Sequence, residues 1–204
     1  MRVVAGIAKG RQLKSPKSPN VRPIMDRVKT ALFDILAPEI EGARFLDLFA
    51  GAGGVGIEAL SRGAAAATFV ELDTETWRLM GENLRITGLG EHAETLHSDA
   101  FRYVERTHAS GRRYDIVYVA PPQYQGMAGR ALAQLDAQPL TDPGGLVIVQ
   151  IDPRERKDVD ALELHTLRPI DERRYGGTLL IFYEHINEGA DAENLEGKDD
   201  DQFE

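Results

Sequence analysis

The chain reads as an α/β protein built on a doubly wound, Rossmann-like sheet. The sheet is mostly parallel, with one antiparallel strand from a C-terminal hairpin, and a small N-terminal hairpin and helix precede it. Three observations predict this. Residues 44–60, RFLDLFAGAGGVGIEAL, pass from a buried apolar stretch through a small-residue turn into a helical pattern, which is a strand, a glycine loop and a helix. Downstream, short apolar strands alternate with helices across short links. The last two apolar segments alternate as strands with no helix between them.

Taken in order, residues 2–13 alternate weakly, with Gly6 and Gly10 as turn residues, and predict a short hairpin. Residues 14–23 hold three prolines, two serines and an asparagine and predict an extended loop. Asp26 is placed to cap a helix whose Val28, Leu32, Phe33, Ile35 and Leu36 recur at helical spacing, with Pro38 just past its end. After the glycine loop the pattern predicts strands at 68–72, 93–98, 114–120 and 146–151, and helices at 75–86, 101–107 and 127–135. Residues 161–168 and 178–183 predict the hairpin, joined by a turn containing Pro169 and Gly176-Gly177. The expected organisation is a basic hairpin, loop and helix over 1–40, a catalytic body over 41–186, and an acidic tail over 187–204 expected to be disordered.

At 204 residues the chain can bury the core of one large domain. Without cysteine it has no disulfide framework, thiol nucleophile or thiolate metal site, which suits a reducing cytoplasm. No 18-residue apolar run is present, so no membrane partner is expected. The five histidines, His92, His97, His108, His165 and His185, lack metal-ligand spacing, so no metal is expected either. The net charge of −9 is unevenly placed. Residues 188–204 carry eight acidic residues against one lysine, whereas residues 1–30 carry eight basic residues against Asp26 alone. The head is therefore suited to nucleic-acid phosphates although the overall charge is negative. Arg2, Lys9, Arg11, Lys14, Lys17, Arg22 and Arg27 are the candidate RNA contacts, the other reading being a solvated basic face.

Gly51, Gly53 and Gly56 fit G-x-G-x-x-G, a spacing shared by dinucleotide and S-adenosylmethionine sites. Asp47, four residues ahead of the first glycine, separates the two. A carboxylate at the mouth of this loop repels a pyrophosphate but attracts the ammonium and sulfonium of S-adenosylmethionine. The methyl donor is therefore the expected cofactor, and a nucleotide-dependent dehydrogenase is the rival class.

Ligands of such sheets lie beyond the carboxyl ends of the strands. Glu71 ends the second strand, where a carboxylate can accept both ribose hydroxyls, while Asp73 or Thr74 is the helix N-cap. Asp99, after the third strand, either accepts the adenine amino group or caps the following helix. The fourth strand ends in Ala120-Pro121-Pro122-Gln123-Tyr124. Two prolines hold this backbone extended and free its carbonyls, and Tyr124 can stack a flat base. That combination suits methyl transfer to an exocyclic amine, with positioning as the main source of catalysis.

The sequence resembles the RsmD family of bacterial methyltransferases, which methylate the N2 amine of a guanine in small-subunit ribosomal RNA. It carries RVVAGIAKGRQLKSP, RPIMDRVKTALFDIL, FLDLFAGAGGVGIEALSRGA, FVELD, NLRITGL and RRYGGTLLIFYE, in that order, over nearly all of residues 2–184. The resemblance implies that Asp47 and the 51–56 loop hold the methionine end of S-adenosylmethionine, Glu71 the ribose and Asp99 the adenine. Phe49, Leu72 and Ala100 complete the expected donor contacts, and residues 120–124 hold the base. The implied partner is ribosomal RNA or an assembling small subunit, and a monomer is expected.

Three positions depart from the family pattern. Asp or Asn followed by Pro-Pro-Tyr or Pro-Pro-Phe is usual, but here Ala120 fills the polar position and Gln123 is inserted before Tyr124. Thr30 stands where Glu is common. Three readings follow for residues 120–124: activity through the Ala120 and Pro121 carbonyls with Gln123 as substitute acceptor, activity on another target, or RNA binding without catalysis. Trp77 reads as a packing or cofactor-covering residue, and Arg173-Arg174-Tyr175-Gly176 as an RNA contact or a hairpin turn.

Overall fold

Phe45 and Leu46, adjacent in sequence, are both fully buried because they point to opposite faces of one sheet, each covered by helices. The computed structural model describes residues 1–16 and 24–187, so Lys17, Arg22 and the acidic tail lie outside the described residues. The strands are β1 (Arg44–Asp47), β2 (Ala66–Glu71), β3 (Ala93–His97), β4 (Tyr114–Val119), β5 (Thr141–Ile151), β6 (Leu167–Tyr175) and β7 (Thr178–His185). They form one seven-stranded sheet in the order β3-β2-β1-β4-β5-β7-β6. The first five are parallel, and β7 runs antiparallel to both of its neighbours. The order reverses between β1 and β4, which puts the switch point beside the glycine loop.

The helices are α1 (Asp26–Ile35), α2 (Ala37–Ile40), α3 (Gly54–Ser61), α4 (Thr74–Thr87), α5 (Ala100–Ser110), α6 (Met127–Ala137) and α7 (Arg156–Asp160). On one face Leu32 and Phe33 of α1, Ile57 of α3 and Met80 of α4 pack on Phe45, Phe69, Tyr118, Ile148 and Phe182. On the other, Val104 of α5, Leu132 of α6 and Val159 of α7 pack on Leu46, Val117, Val149 and Ile181. The N-terminal segment shares the first core through Val3, Ala8 and Leu13.

A buried ion pair fixes that segment. Lys29 Nζ lies 3.0 Å from Glu58 Oε2, both side chains are wholly buried, and the ammonium also donates to the Arg2 carbonyl at 2.5 Å. Glu58 accepts in addition from the Val4 and Ala5 N–H groups at 2.8 and 2.9 Å and from Arg62 Nε at 3.0 Å. With Glu58 accepting from four donors and the ammonium held by two acceptors, the desolvation cost of the two charges is offset. Lys29, one of the basic residues of the head, is thus a structural residue.

Some local expectations are corrected. Asp26 does not cap α1: Met25 holds that position without a side-chain cap, and the Asp26 carboxylate is taken by Arg2 Nε at 2.7 Å. Pro38 lies past the end of α1, as expected, and falls in the short α2 at a first-turn position where its missing N–H costs nothing. The expected hairpin at residues 2–13 is short: one antiparallel bridge between Arg2 and Gln12, with the Val3 N–H donating to the Arg11 carbonyl at 3.0 Å and the Leu13 N–H to the Met1 carbonyl at 2.9 Å. The segment 161–166 is not a strand. It leaves α7 and is held by Asp136, whose carboxylate accepts from the N–H groups of His165, Thr166 and Leu167 at 2.7–3.0 Å. Strand β6 therefore begins at Leu167, and Pro169 sits within it at a register shift, tolerated because β6 is the sheet edge.

Candidate active site

The glycine loop is packed from below and open above. A Cβ on Gly56 would stand 2.3 Å from Phe69 Cε1, so only glycine lets α3 lie this close to β2. Gly51 has φ +54°, and a Cβ there would meet nothing within 4 Å, so this side of the loop faces free space. The Gly51 N–H donates to Glu71 Oε2 at 2.8 Å, while Glu71 Oε1 accepts from the Asp73 N–H at 2.8 Å. Asp73, and not Glu71, caps α4 by accepting from the Thr76 N–H at 2.8 Å.

Asp47 is not at the mouth of the loop but beneath it. It is buried, 2% exposed, and accepts from the Gly56 N–H at 3.1 Å. Burial pushes its carboxyl up to about 7, against the lowering effect of the Gly56 N–H, and the nearby Glu71 charge adds to the rise. Tyr118, level with Asp47 on β4, is raised by burial and by the Asp47 charge, and its hydroxyl donates to Gln150 Oε1 at 2.6 Å. No Lys or Arg stands between Ala50 and Gly56. The carboxylates of Asp47 and Glu71 flank a glycine turn that carries no basic side chain, an arrangement that suits a cationic ligand, so S-adenosylmethionine fits the residues present.

Beyond β2 and β3 lies a cavity of about 710 Å³ lined by Leu72, Asp99, Phe101, Arg102, Glu105, Arg130 and Gln134. Asp99 caps α5 through Oδ1, which accepts from the Arg102 N–H at 2.9 Å, and the residue also lines this cavity. Leu72 is 64% exposed there. Ala100 is buried in the first turn of α5, and Phe49 meets Phe101 edge-on at 6.0 Å. Phe101 and Arg130, whose guanidinium sits 3.7 Å over the Phe101 ring, were not singled out from the sequence, because their packing partners are about thirty residues apart in the chain. Trp77 stacks on His97 at 5.6 Å and packs against the core.

Residues 120–124 follow β4, next to β1 at the switch point. Ala120 is half-buried, Pro121 buried and Pro122 exposed. Tyr124 has φ +61°, the only non-glycine among the described residues in the left-handed region, and it is 60% exposed. That conformation costs about 1 kcal/mol or more and is held from outside. The Tyr124 N–H donates to Glu155 Oε1 at 2.7 Å and its hydroxyl donates to Asp152 Oδ2 at 2.8 Å. Glu155 is buried, and Asp152 and Glu155 form a capping box just past β5. Neither residue was marked by the sequence, although the D-P-R-E spacing is a visible capping signal.

The basic head is partly spent. Arg2 pairs with Asp26, and Lys14 Nζ pairs with Glu82 at 2.5 Å, whereas Lys9, Arg11 and Arg27 are exposed. Arg173 pairs with Asp171 at 2.7 Å, and Tyr175 pairs with Thr178 across the hairpin tip. Among the described residues no three His, Asp or Glu side chains cluster as a metal site, and no helix is long and apolar enough to cross a membrane.

The chain matches, over residues 1–184, the family described as Conserved hypothetical protein 95. It is 38% identical over 136 residues to ribosomal RNA small subunit methyltransferase D of Escherichia coli K12, covering 67% of each chain. The solved structure of a hypothetical protein of Thermus thermophilus superposes with a TM-score of 0.76 at 35% identity, covering 90% of this chain and 99% of that one. An RNA methyltransferase of Salinibacter ruber, solved with S-adenosyl-L-homocysteine, shares the fold at a TM-score of 0.63 and 16% identity, covering 82% and 95%.

Proposed function

The chain belongs to the Conserved hypothetical protein 95 family, the RsmD family, and from that premise we propose that it transfers a methyl group from S-adenosylmethionine to the exocyclic N2 amine of a guanine in small-subunit ribosomal RNA. The observation that carries this reading is the pairing, at one switch point, of a carboxylate-flanked glycine loop with a Pro-Pro segment that presents an exposed tyrosine.

In this reading Asp47, Phe49, the 51–56 loop, Glu71, Leu72, Asp99 and Ala100 hold the donor, whose sulfonium supplies an electrophilic methyl. Tyr124 stacks the guanine, and the carbonyls of Ala120 and Pro121 accept from its amine. Those hydrogen bonds localise a lone pair otherwise delocalised into the ring and aim it for in-line attack. Residues 1–40 serve as the RNA-tracking head through Lys9, Arg11 and Arg27, residues 41–186 as the catalytic body, acting as a monomer in the cytoplasm.

Mass spectrometry of ribosomal RNA tests the reading. A strain lacking this gene should lose one N2-methylguanosine from its small-subunit RNA, and purified protein with S-adenosylmethionine should restore it on isolated subunits. An unchanged nucleoside profile in the deleted strain refutes the assignment.

A further inference from the structure

Ala120 leaves the target amine without the side-chain acceptor usual at that position, and the half-exposed carboxylate on the hydroxyl of the exposed tyrosine belongs to Asp152, whereas Glu155, on the Tyr124 N–H, is buried. Asp152 Oδ2 accepts from the Tyr124 hydroxyl at 2.8 Å. Strands β4 and β5 are parallel neighbours with Val119 opposite Val149, so residues 120–124 and Asp152 both lie just beyond the carboxyl ends of adjacent strands. On its other side is the tip of the β6–β7 hairpin: a Cβ on Gly177 would lie 4.0 Å from Asp152 Oδ2. The carboxylate is thus held between the expected base platform and the hairpin tip, half-exposed, with Oδ1 fixed by the Arg154 N–H at 2.9 Å. Gln123, the other candidate, is half-buried and makes no hydrogen bond among the described residues, so nothing fixes its orientation.

We propose that Asp152 supplies the acceptor that Ala120 lacks, receiving one N–H of the guanine amine while the 120–121 carbonyls share the other and Tyr124 stacks the ring. The inference rests on the methyltransferase reading above. The amine lone pair forms the new N–C bond as the methyl–sulfur bond breaks, and the bonding pair stays on sulfur as a neutral thioether. The nitrogen, now cationic, releases one proton to the Asp152 carboxylate, which passes it to water. The Arg154 N–H and the Tyr124 hydroxyl hold this carboxyl below its ordinary range, so it is an anion at neutral pH and ready to accept.

The test is single-turnover methylation by the full chain of small ribosomal subunits isolated from a strain lacking this gene, with labelled S-adenosylmethionine. Asp152→Ala should lower the rate by about thirtyfold or more while the donor Kd stays within about twofold. Tyr124→Phe, which cuts the link to Asp152 but keeps the ring, should lose less than about threefold. Adding Ala120→Asp to Asp152→Ala should recover about tenfold, well beyond the effect of Ala120→Asp in the parent. If Asp152→Ala fails to fold, Asp152→Asn replaces it, since its amide oxygen can still cap Arg154 while the charge is gone. The proposal is overturned if Asp152→Ala, or its Asn replacement, stays within about twofold of the parent. It is also overturned if Tyr124→Phe is as damaging and Ala120→Asp rescues nothing, because Asp152 then acts only through the tyrosine. A parent that binds the donor but methylates no subunit sinks the underlying reading instead.

Discussion

The two halves of the site are built by opposite means. On the donor side, Asp47, Gly51 and Gly56 lie within ten residues of one another, and the loop is held by its own backbone and by Glu71 at the next strand end. On the acceptor side, Tyr124 is exposed, strained at φ +61° and held by Asp152 and Glu155, 28 and 31 residues further along the chain. Packing determines the first half and a few polar tethers determine the second. Substitutions at the packed glycines of the donor side should therefore cost stability, and those on the acceptor side should cost rate alone.

The largest expected effect breaks the donor half. Gly56→Ala drives a methyl to 2.3 Å from the Phe69 ring, and neither α3 nor the buried ring has room to give, so the protein should lose about 3 kcal/mol or more. The same exchange in reverse on the acceptor side, Tyr124→Gly, relieves a left-handed residue while removing the ring. Its stability should stay within about 1 kcal/mol of the parent although methylation collapses. Urea midpoints of the two variants measure the contrast. Equal midpoints would show that the halves are not built differently.

This asymmetry also explains which features could be read from the sequence. A strand, a glycine turn and a helix consecutive in the chain leave a local signature, and Glu71 and Asp99 follow from counting to the next two strand ends. Asp152 and Glu155 leave only the mark of a helix cap, because what they hold comes from another strand and the pairing exists only once β4 and β5 align. The Lys29–Glu58 pair was hidden for a related reason: a lysine in a basic stretch reads as surface until the fold closes over it. At the C-terminus, Pro169 looked like a turn residue because the sequence does not say that β6 is an edge, where a missing N–H is free.

A smaller effect sharpens the account of the donor half. The Asp47 carboxyl sits at about 7, well above its ordinary 3.8, so charging it destabilises the ligand-free fold. The associated stability is fully present below about pH 4 and is lost as pH rises through 7. Asp47→Asn lacks that loss and should melt higher than the parent at pH 8. A cationic donor favours the charged form, so parental affinity should rise between pH 6 and 8 with release of a proton, while that of Asp47→Asn stays flat and about tenfold or more weaker. Calorimetry in buffers of different ionisation enthalpy reads the proton directly. A pH-independent parent would mean that Asp47 does not face the methionine end.

The smallest expected effect concerns Gln123, the inserted residue that could replace the missing acceptor. An acceptor contributes to the rate to the extent that it is already in place when the amine arrives, because orientation arranged during the reaction adds to the barrier. Asp152 meets that condition, with one oxygen on the Arg154 N–H and the other on the Tyr124 hydroxyl, whereas the Gln123 amide has no such hold among the described residues. The carbonyls of Ala120 and Pro121 belong to a backbone that Pro121 and Pro122 already keep extended, so they do not need the Gln123 side chain. Gln123→Ala should then leave single-turnover methylation within about twofold of the parent, under about 0.5 kcal/mol of barrier, with donor affinity unchanged. A tenfold loss at constant donor affinity would reverse the ranking. It would make Gln123 the acceptor and Asp152 a tether for the tyrosine, and the acceptor half would then be as local in sequence as the donor half.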